Sequence, residues 1–333
     1  MSELPDMVQA LLDPAIYPDT TSKVELVQTR MSFLFLTGDF VYKTKKPVDL
    51  EFLDYTTLQK RHFYCRREVE LNRRLCPETY LDVVPINQDK NNYSLDGKGK
   101  TIEYAVKMLY LPQDRMLDVL LLQDKVSPEM LSGIAGKLAG FHKIAATNDA
   151  ISHYGDLESI ITSTEENFIQ SVKYISSTVS QKSYRLIKDY TNSFIEKNIP
   201  LFYERIADGK IKDCHGDLHA AHICFADDIY IYDCIEYNDK FRYCDTASEV
   251  ALLAMDLDNY GKADLSKSFV DSYVKLSGDE DLLQLLNFYK CHRAYTRGKV
   301  ESAKLDDTNI SDEERTTVQA SAIKYFELAE SYI

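Results

Sequence analysis

No stretch of this 333-residue chain approaches the run of about 20 apolar residues that a membrane helix needs. No secretory leader is expected either: "MSELPDMVQALLDP" carries acids and early prolines where such a leader has a basic patch and an apolar core. The expectation is a cytoplasmic protein with no membrane partner. No CxxC pair occurs among the 7 cysteines. Cys214, Cys224, Cys234 and Cys244 recur every 10 residues, but zinc knuckles need ligands two to four residues apart, so free thiols are expected. Basic residues are in the minority, 39 against 53 acids, and the net charge of −14 argues against a nucleic-acid partner.

What is present is an ordinary globular composition, 44% hydrophobic and 28% charged, in a chain long enough for one large two-lobed domain or two modest ones. The first third reads as strands: 23–29, 33–38 and 40–46 are short and rich in β-branched and aromatic residues, with Thr37-Gly38-Asp39 as a hairpin turn. A helix is expected over 56–76, then strands at 81–87 and 101–111 joined by a polar, glycine-containing loop over 88–100. After Pro112 the texture becomes helical. Ser127 and Pro128 mark a helix start for 127–147, and long patterns follow at about 156–178, 182–208, 262–277, 280–303 and 311–331. Thr246 and Glu249 are spaced as a capping box. The order implies an α+β fold, with a β-rich lobe over 1–111, a helical lobe over 112–333 and a cleft shared by the two.

The helical run is interrupted at 211–245 by "CHGDLHAAHICF" (214–225) and the apolar strand "DIYIYD" (228–233). Phosphoryl transfer asks for a cation on the nucleotide phosphates, ligands for a divalent metal and a carboxylate that orients the attacking hydroxyl. Kinase-type loops supply an Asp, a metal-binding Asn five residues on, and a second Asp beyond a strand. Here those positions hold Asp217, His222 and Asp233. An imidazole in place of the amide shifts metal preference from Mg²⁺ toward Mn²⁺, or leaves the ligand to a water, or weakens the site. A zinc cage of His215, His219 and His222 with Asp217 is the rival reading, which Gly216 disfavours by breaking the helix it would need.

With "HGDLHAAHI" (215–223) and "IYIYDCIE" (229–236), the chain resembles the aminoglycoside phosphotransferase-like family, relatives of the protein kinases, of a bacterial type often fused to a second ATP-binding domain. The resemblance runs from "VYKTKKPV" through "RAYTRGKV" (293–300) and implies a protein-kinase-like two-lobed fold with ATP and Mg²⁺ as cofactors. It implies Asp217 as catalytic base, His219 beside the transferred phosphate, and Asp233 with His222 at the metal. Lys43 would hold nucleotide phosphates, chosen over Lys45 and Lys46 because it follows "FVY". Of Glu68 and Glu70, two apart on one helix, only one can face that lysine, and Glu68 is the better match. The turn "TRMS" (29–32) has no glycine, which leaves the Met31 and Ser32 amides or the Arg30 side chain to meet phosphates. An adenine hinge falls near Met108 and Tyr110. Arg293 and Arg297 are expected on a solvated face near Glu301, with an anion contact as the sharper alternative. The expected partners are a nucleotide and a hydroxyl-bearing small molecule. A protein Ser/Thr acceptor and a catalytically weak pseudokinase remain as alternatives.

Overall fold

The computed structural model describes residues 4–19, 21–50, 52–307 and 310–333. The chain forms two compact units. One takes the chain up to Met116 together with His222–Asp239, and the other takes Leu117–Ala221 with Lys240–Ile333.

The first unit is built on a six-stranded antiparallel sheet. Its strands are β1 (Glu25–Gln28), β2 (Ser32–Leu36), β3 (Phe40–Lys45), β4 (Tyr80–Asp89), β5 (Asn92–Leu95) and β6 (Lys100–Leu109), in the order β1-β2-β3-β6-β4-β5. Gly38, at φ +92°, turns the chain between β2 and β3. The expected loop over 88–100 instead carries β5, paired with β4 from Ile86↔Leu95 to Asp89↔Asn92. Its polar composition hid a strand that needs only one buried anchor, Leu95, which joins Phe35, Tyr42 and Ile86 in the core of this unit. Helix α1 (Leu58–Asn72) starts at Thr57, whose hydroxyl accepts the Lys60 amide, and packs on the sheet. Segment 222–239 adds the hairpin β8 (Ile223–Phe225) and β9 (Ile229–Ile231).

The second unit is helical apart from one strand pair, β7 (Ile211–Asp213) with β10 (Tyr243–Asp245). Its main helices are α2 (Pro128–Ile144), α3 (Leu157–Ser171), α4 (Gln181–Lys197), α5 (Ile199–Ala207), α6 (Thr246–Asn259), α7 (Ala263–Ser277), α8 (Leu282–Lys304) and α9 (Asp312–Glu330). The single helix read over 182–208 divides at Asn198, because Pro200 lacks the amide needed to continue and instead opens the next helix. Phe168, Leu252, Met255, Tyr295 and Phe326 fill the core against which α6 and α8 pack. Helix α6 is buried on every side from Thr246 to Leu257, so each polar group on it needs a partner. Among the described residues no helix is long and apolar enough to cross a membrane, and all 7 cysteines are free thiols.

Candidate active site

In the first unit, strand alternation sends Lys43 and Lys45 of β3 to the same face, toward α1. Both meet Glu68. Lys43 Nζ lies 2.8 Å from Glu68 Oε1, and Lys45 Nζ lies 2.7 Å from Oε2. Lys43 also reaches Asp233 Oδ1 at 2.9 Å, while Lys45 pairs with Glu236, whose Oε1 accepts a hydrogen bond from Tyr55 at 2.6 Å. Burial works against charge on either lysine. For Lys43 the carboxylates of Asp233 and Glu68 outweigh it, and for Lys45 those of Glu236 and Glu68 do, so both ammonium groups are held protonated well above the ordinary lysine range. Burial pushes the Glu68 carboxyl up, but Lys43 and Lys45 prevail and keep it below its usual value.

Asp233 sits two residues past β9 at φ +61°, a left-handed conformation that Asp tolerates better than most residues. Its amide donates to Tyr80 Oη at 3.3 Å, and the next amide, of Cys234, donates to Asn72 Oδ1 at 2.8 Å. Asn72 in turn donates to the Glu68 carbonyl at 2.9 Å, so the end of α1 fixes the turn that carries Asp233. His222 Nε2 faces Asp233 Oδ2 at 3.6 Å. A carboxylate oxygen opposite an imidazole nitrogen fits a borderline divalent ion such as Mn²⁺, and Mg²⁺ where water completes its shell.

In the second unit, the loop after β7 hangs from α6. The amides of His215 and Gly216 both donate to Glu249 Oε1 at 2.7 Å, and that of Ala220 donates to Asp256 Oδ2 at 2.8 Å. Glu249 Oε2 holds His142 Nε2 at 2.8 Å, and His142 Nδ1 meets the Tyr273 hydroxyl at 2.7 Å. Burial pushes the Glu249 carboxyl up, but these bonds, first that from His142, win and hold it below its ordinary value. The capping-box reading of Thr246 and Glu249 is therefore corrected. Asp245 caps α6 by accepting the Ala247 amide, and Glu249 holds the loop. Gly216 adopts φ +90°, and a Cβ there would lie 2.8 Å from the Phe241 carbonyl oxygen. His215 is fully buried, with Nδ1 accepting the Asp217 amide at 3.3 Å, a role within the loop that the zinc-cage reading did not give it.

This suspension presents Asp217, with His219 Nε2 3.5 Å from its Oδ2 and Arg297 Nη1 3.8 Å from its Oδ1. The solvated face expected for Arg293 and Arg297 is not found. Arg293 Nε donates to Ser248 Oγ at 3.1 Å, and Arg297 lies between Asp217 and the Tyr325 ring with a quarter of its side chain exposed. In the first unit, the Met31 and Ser32 amides both donate to Thr29 Oγ1, at 3.2 and 3.0 Å, so the turn between β1 and β2 closes on itself. Ser32 is buried and Arg30 exposed. Met108 is buried in β6, and the Tyr110 amide donates to the Asp39 carbonyl at 2.8 Å.

The structure thus joins Lys43, Glu68, Asp233 and His222 in one unit, and Asp217 and His219 in the other. Sequence reasoning missed Lys45, Glu236, Glu249 and Asp256 as parts of these groups. The signals existed: Lys45 shares a strand face with Lys43, and Glu249 and Asp256 are acids seven residues apart that bracket the apolar run 250–255.

No family model matches the chain. An uncharacterized protein of Mycobacterium tuberculosis is 32% identical over 282 residues, covering 84% of this chain and 55% of the relative, and one from Mycobacterium bovis matches equally. The chain spans about half the length of these curated relatives. Among solved structures, a choline/ethanolamine kinase family protein from Mesorhizobium loti superposes with a TM-score of 0.54 at 9% identity, covering 98% of each chain. An amicoumacin kinase in complex with AMP-PNP, Ca²⁺ and Ami gives 0.55 at 12% identity, over 96% of this chain and 91% of that one. A spectinomycin phosphotransferase with ADP and spectinomycin gives 0.52 at 13%, over 98% of each. The chain shares their protein-kinase-like fold, a β-sheet lobe followed by a helical lobe, as the resemblance read from the loop implied.

Proposed function

We propose that this protein is an ATP-dependent phosphotransferase that phosphorylates a hydroxyl of a small molecule. The observation that carries the reading is Lys43 bridging Glu68 at 2.8 Å and Asp233 at 2.9 Å, since a strand lysine, a helix glutamate and a post-strand aspartate are what a nucleotide-phosphate site requires. Lys43 holds the phosphate oxygens, with its pair to Glu68 keeping it in position. Asp233 and His222 would hold a divalent metal, which would supply charge to offset the phosphate oxygens. Asp217 accepts the proton of the substrate hydroxyl and fixes its direction of attack, while Arg297, 3.8 Å from it, orients that carboxylate and His219 donates to the transferred group. All of this is positioning and electrostatics, which is most of what phosphoryl transfer asks of a protein.

The test is ATP turnover by purified protein with Mg²⁺ or Mn²⁺. Metal-dependent turnover is expected, and Asp217→Asn should lower it by about 10²–10⁴-fold, the usual contribution of a positioned base. Turnover that survived this change intact would refute the assignment of Asp217. One observation favours a second reading, a nucleotide-binding protein without turnover: the Met31 and Ser32 amides are already engaged by Thr29. Thermal stabilisation by ATP that needs no metal, in protein that turns over no ATP, would select it.

A further inference from the structure

Arg297 has more donors than the protein around it uses. Arg205 and Arg242, buried in the same unit, hold carboxylates at 2.6 and 2.8 Å. Arg293, one turn before Arg297 on α8, donates to Ser248 Oγ at 3.1 Å. Arg297 differs. Among the described residues, the carboxylate that comes near its guanidinium is that of Asp217, at 3.8 Å, beyond hydrogen-bond reach. The Tyr325 ring lies against it with a centroid 6.0 Å away, and the Tyr325 hydroxyl takes the Asn259 side-chain amide at 3.3 Å. Asp256, the other acid close enough to influence Arg297, is buried and accepts the Ala220 amide. A guanidinium is a planar fork of donors matched to an anion's oxygens, and 26% of this side chain is open to solvent.

We propose that Arg297 sets acceptor specificity by docking an anionic group of the substrate, which is therefore a hydroxy acid, with a carboxylate for Arg297 and a hydroxyl for Asp217. The base and the cation stand 3.8 Å apart. A hydroxyl and a carboxylate a few bonds from one another span that interval, each within hydrogen-bond distance of its own partner. The looseness of the Asp217 contact matters here, because an arginine locked onto that carboxylate at close range would have to surrender the pair before taking a ligand. Charge points the same way. An anion brought up to an ionised Asp217 is repelled, and the guanidinium beside it offsets that repulsion. An amino alcohol gains nothing from Arg297, since its ammonium would meet a like charge. This inference rests on the reading of Asp217 as the base of a phosphotransferase.

The test compares three acceptors of similar size, glycerate, glycerol and ethanolamine, by ligand-observed NMR on the full chain, with thermal unfolding of each variant and ATP turnover measured alongside. Wild-type protein should bind glycerate about tenfold or more tighter than glycerol or ethanolamine, and Arg297→Gln should erase that preference. Arg297→Lys, which keeps the charge without the planar fork, should retain only part of it. A purely structural arginine would weaken all three acceptors together, and that result overturns the proposal. Should Arg297→Gln fail to fold, Arg297→Lys decides, and a glycerate preference left whole in that variant overturns the proposal. A wild type that favours glycerol or ethanolamine, or none of the three, does so as well. Glycerate binding that survives Arg297→Gln while ATP turnover falls would put the guanidinium on the transferred phosphate instead, again against the proposal. Glycerate preference lost in Arg297→Gln, in protein that turns over no ATP, leaves the anion site standing and refutes the phosphotransferase reading.

Discussion

Gly216 has the least freedom to vary among the loop residues. It combines φ +90° with a position where a Cβ would meet the Phe241 carbonyl oxygen at 2.8 Å, and backbone cannot yield as a side-chain tip can. Gly216→Ala should displace Asp217, the adjacent residue, and lower ATP turnover by about tenfold or more while the helices still form, which circular dichroism and turnover together would show. Glu249 offers a second residue-scale check. Its carboxyl titrates below the ordinary value of 4.5 in the folded chain, so its stabilising effect is complete above that value and is lost as pH falls through the depressed one. A glutamine can still accept from the two loop amides, but as a neutral acceptor. Glu249→Gln should therefore cost about 1–2 kcal/mol at neutral pH. In urea unfolding, the gap between the two proteins should narrow as pH is taken below 4.5. A gap that held constant with pH would show that the charge of Glu249 contributes nothing.

Elements were legible where one periodicity dominated. The helix beginning at Ser127 and Pro128 and the strand bearing Lys43 both follow local rules, a cap and an alternation. What escaped was fixed by partners distant in sequence. Strand β5 exists because Leu95 finds Ile86 and the core behind it. The role of Glu249 depends on amides 33 and 34 positions earlier, and "TASE" (246–249) is as good a capping box on paper as any. Likewise Lys45 looked like a surplus cation until Glu236, 191 positions on, was placed against it. The turn at 29–32 is the opposite case, closed by its own threonine two and three residues away, a local hydroxyl-to-amide bond that the search for glycine passed over. Helix α6 shows the general form of the difficulty. Its acids at 249 and 256 read as interruptions of an apolar stripe, and only the loop they hold explains them.

For the molecule as a whole, the acids of the second unit include a buried cluster that bears on stability alone. Arg205, 2% exposed, is bracketed by Asp245 and Asp279, and Asp245 also caps α6. Arg205→Met leaves buried Asp245 without its cation and Asp279 with only Lys210, 3.4 Å away, and should cost about 3–5 kcal/mol, read as a lowered midpoint in urea. A loss below about 1 kcal/mol would mean that water reaches the cluster and screens it. The first unit has a different vulnerability. It is assembled from two stretches of chain, and the second of these, His222–Asp239, brings Asp233 and Glu236 to the lysines of β3. A ribosome making this protein therefore completes the sheet well before it has made the acids that neutralise that sheet's two inward lysines. Until residue 233 emerges, Glu68 alone faces both cations, and the amino-terminal unit reaches its final charge balance only after more than half of the helical unit's chain has been synthesised.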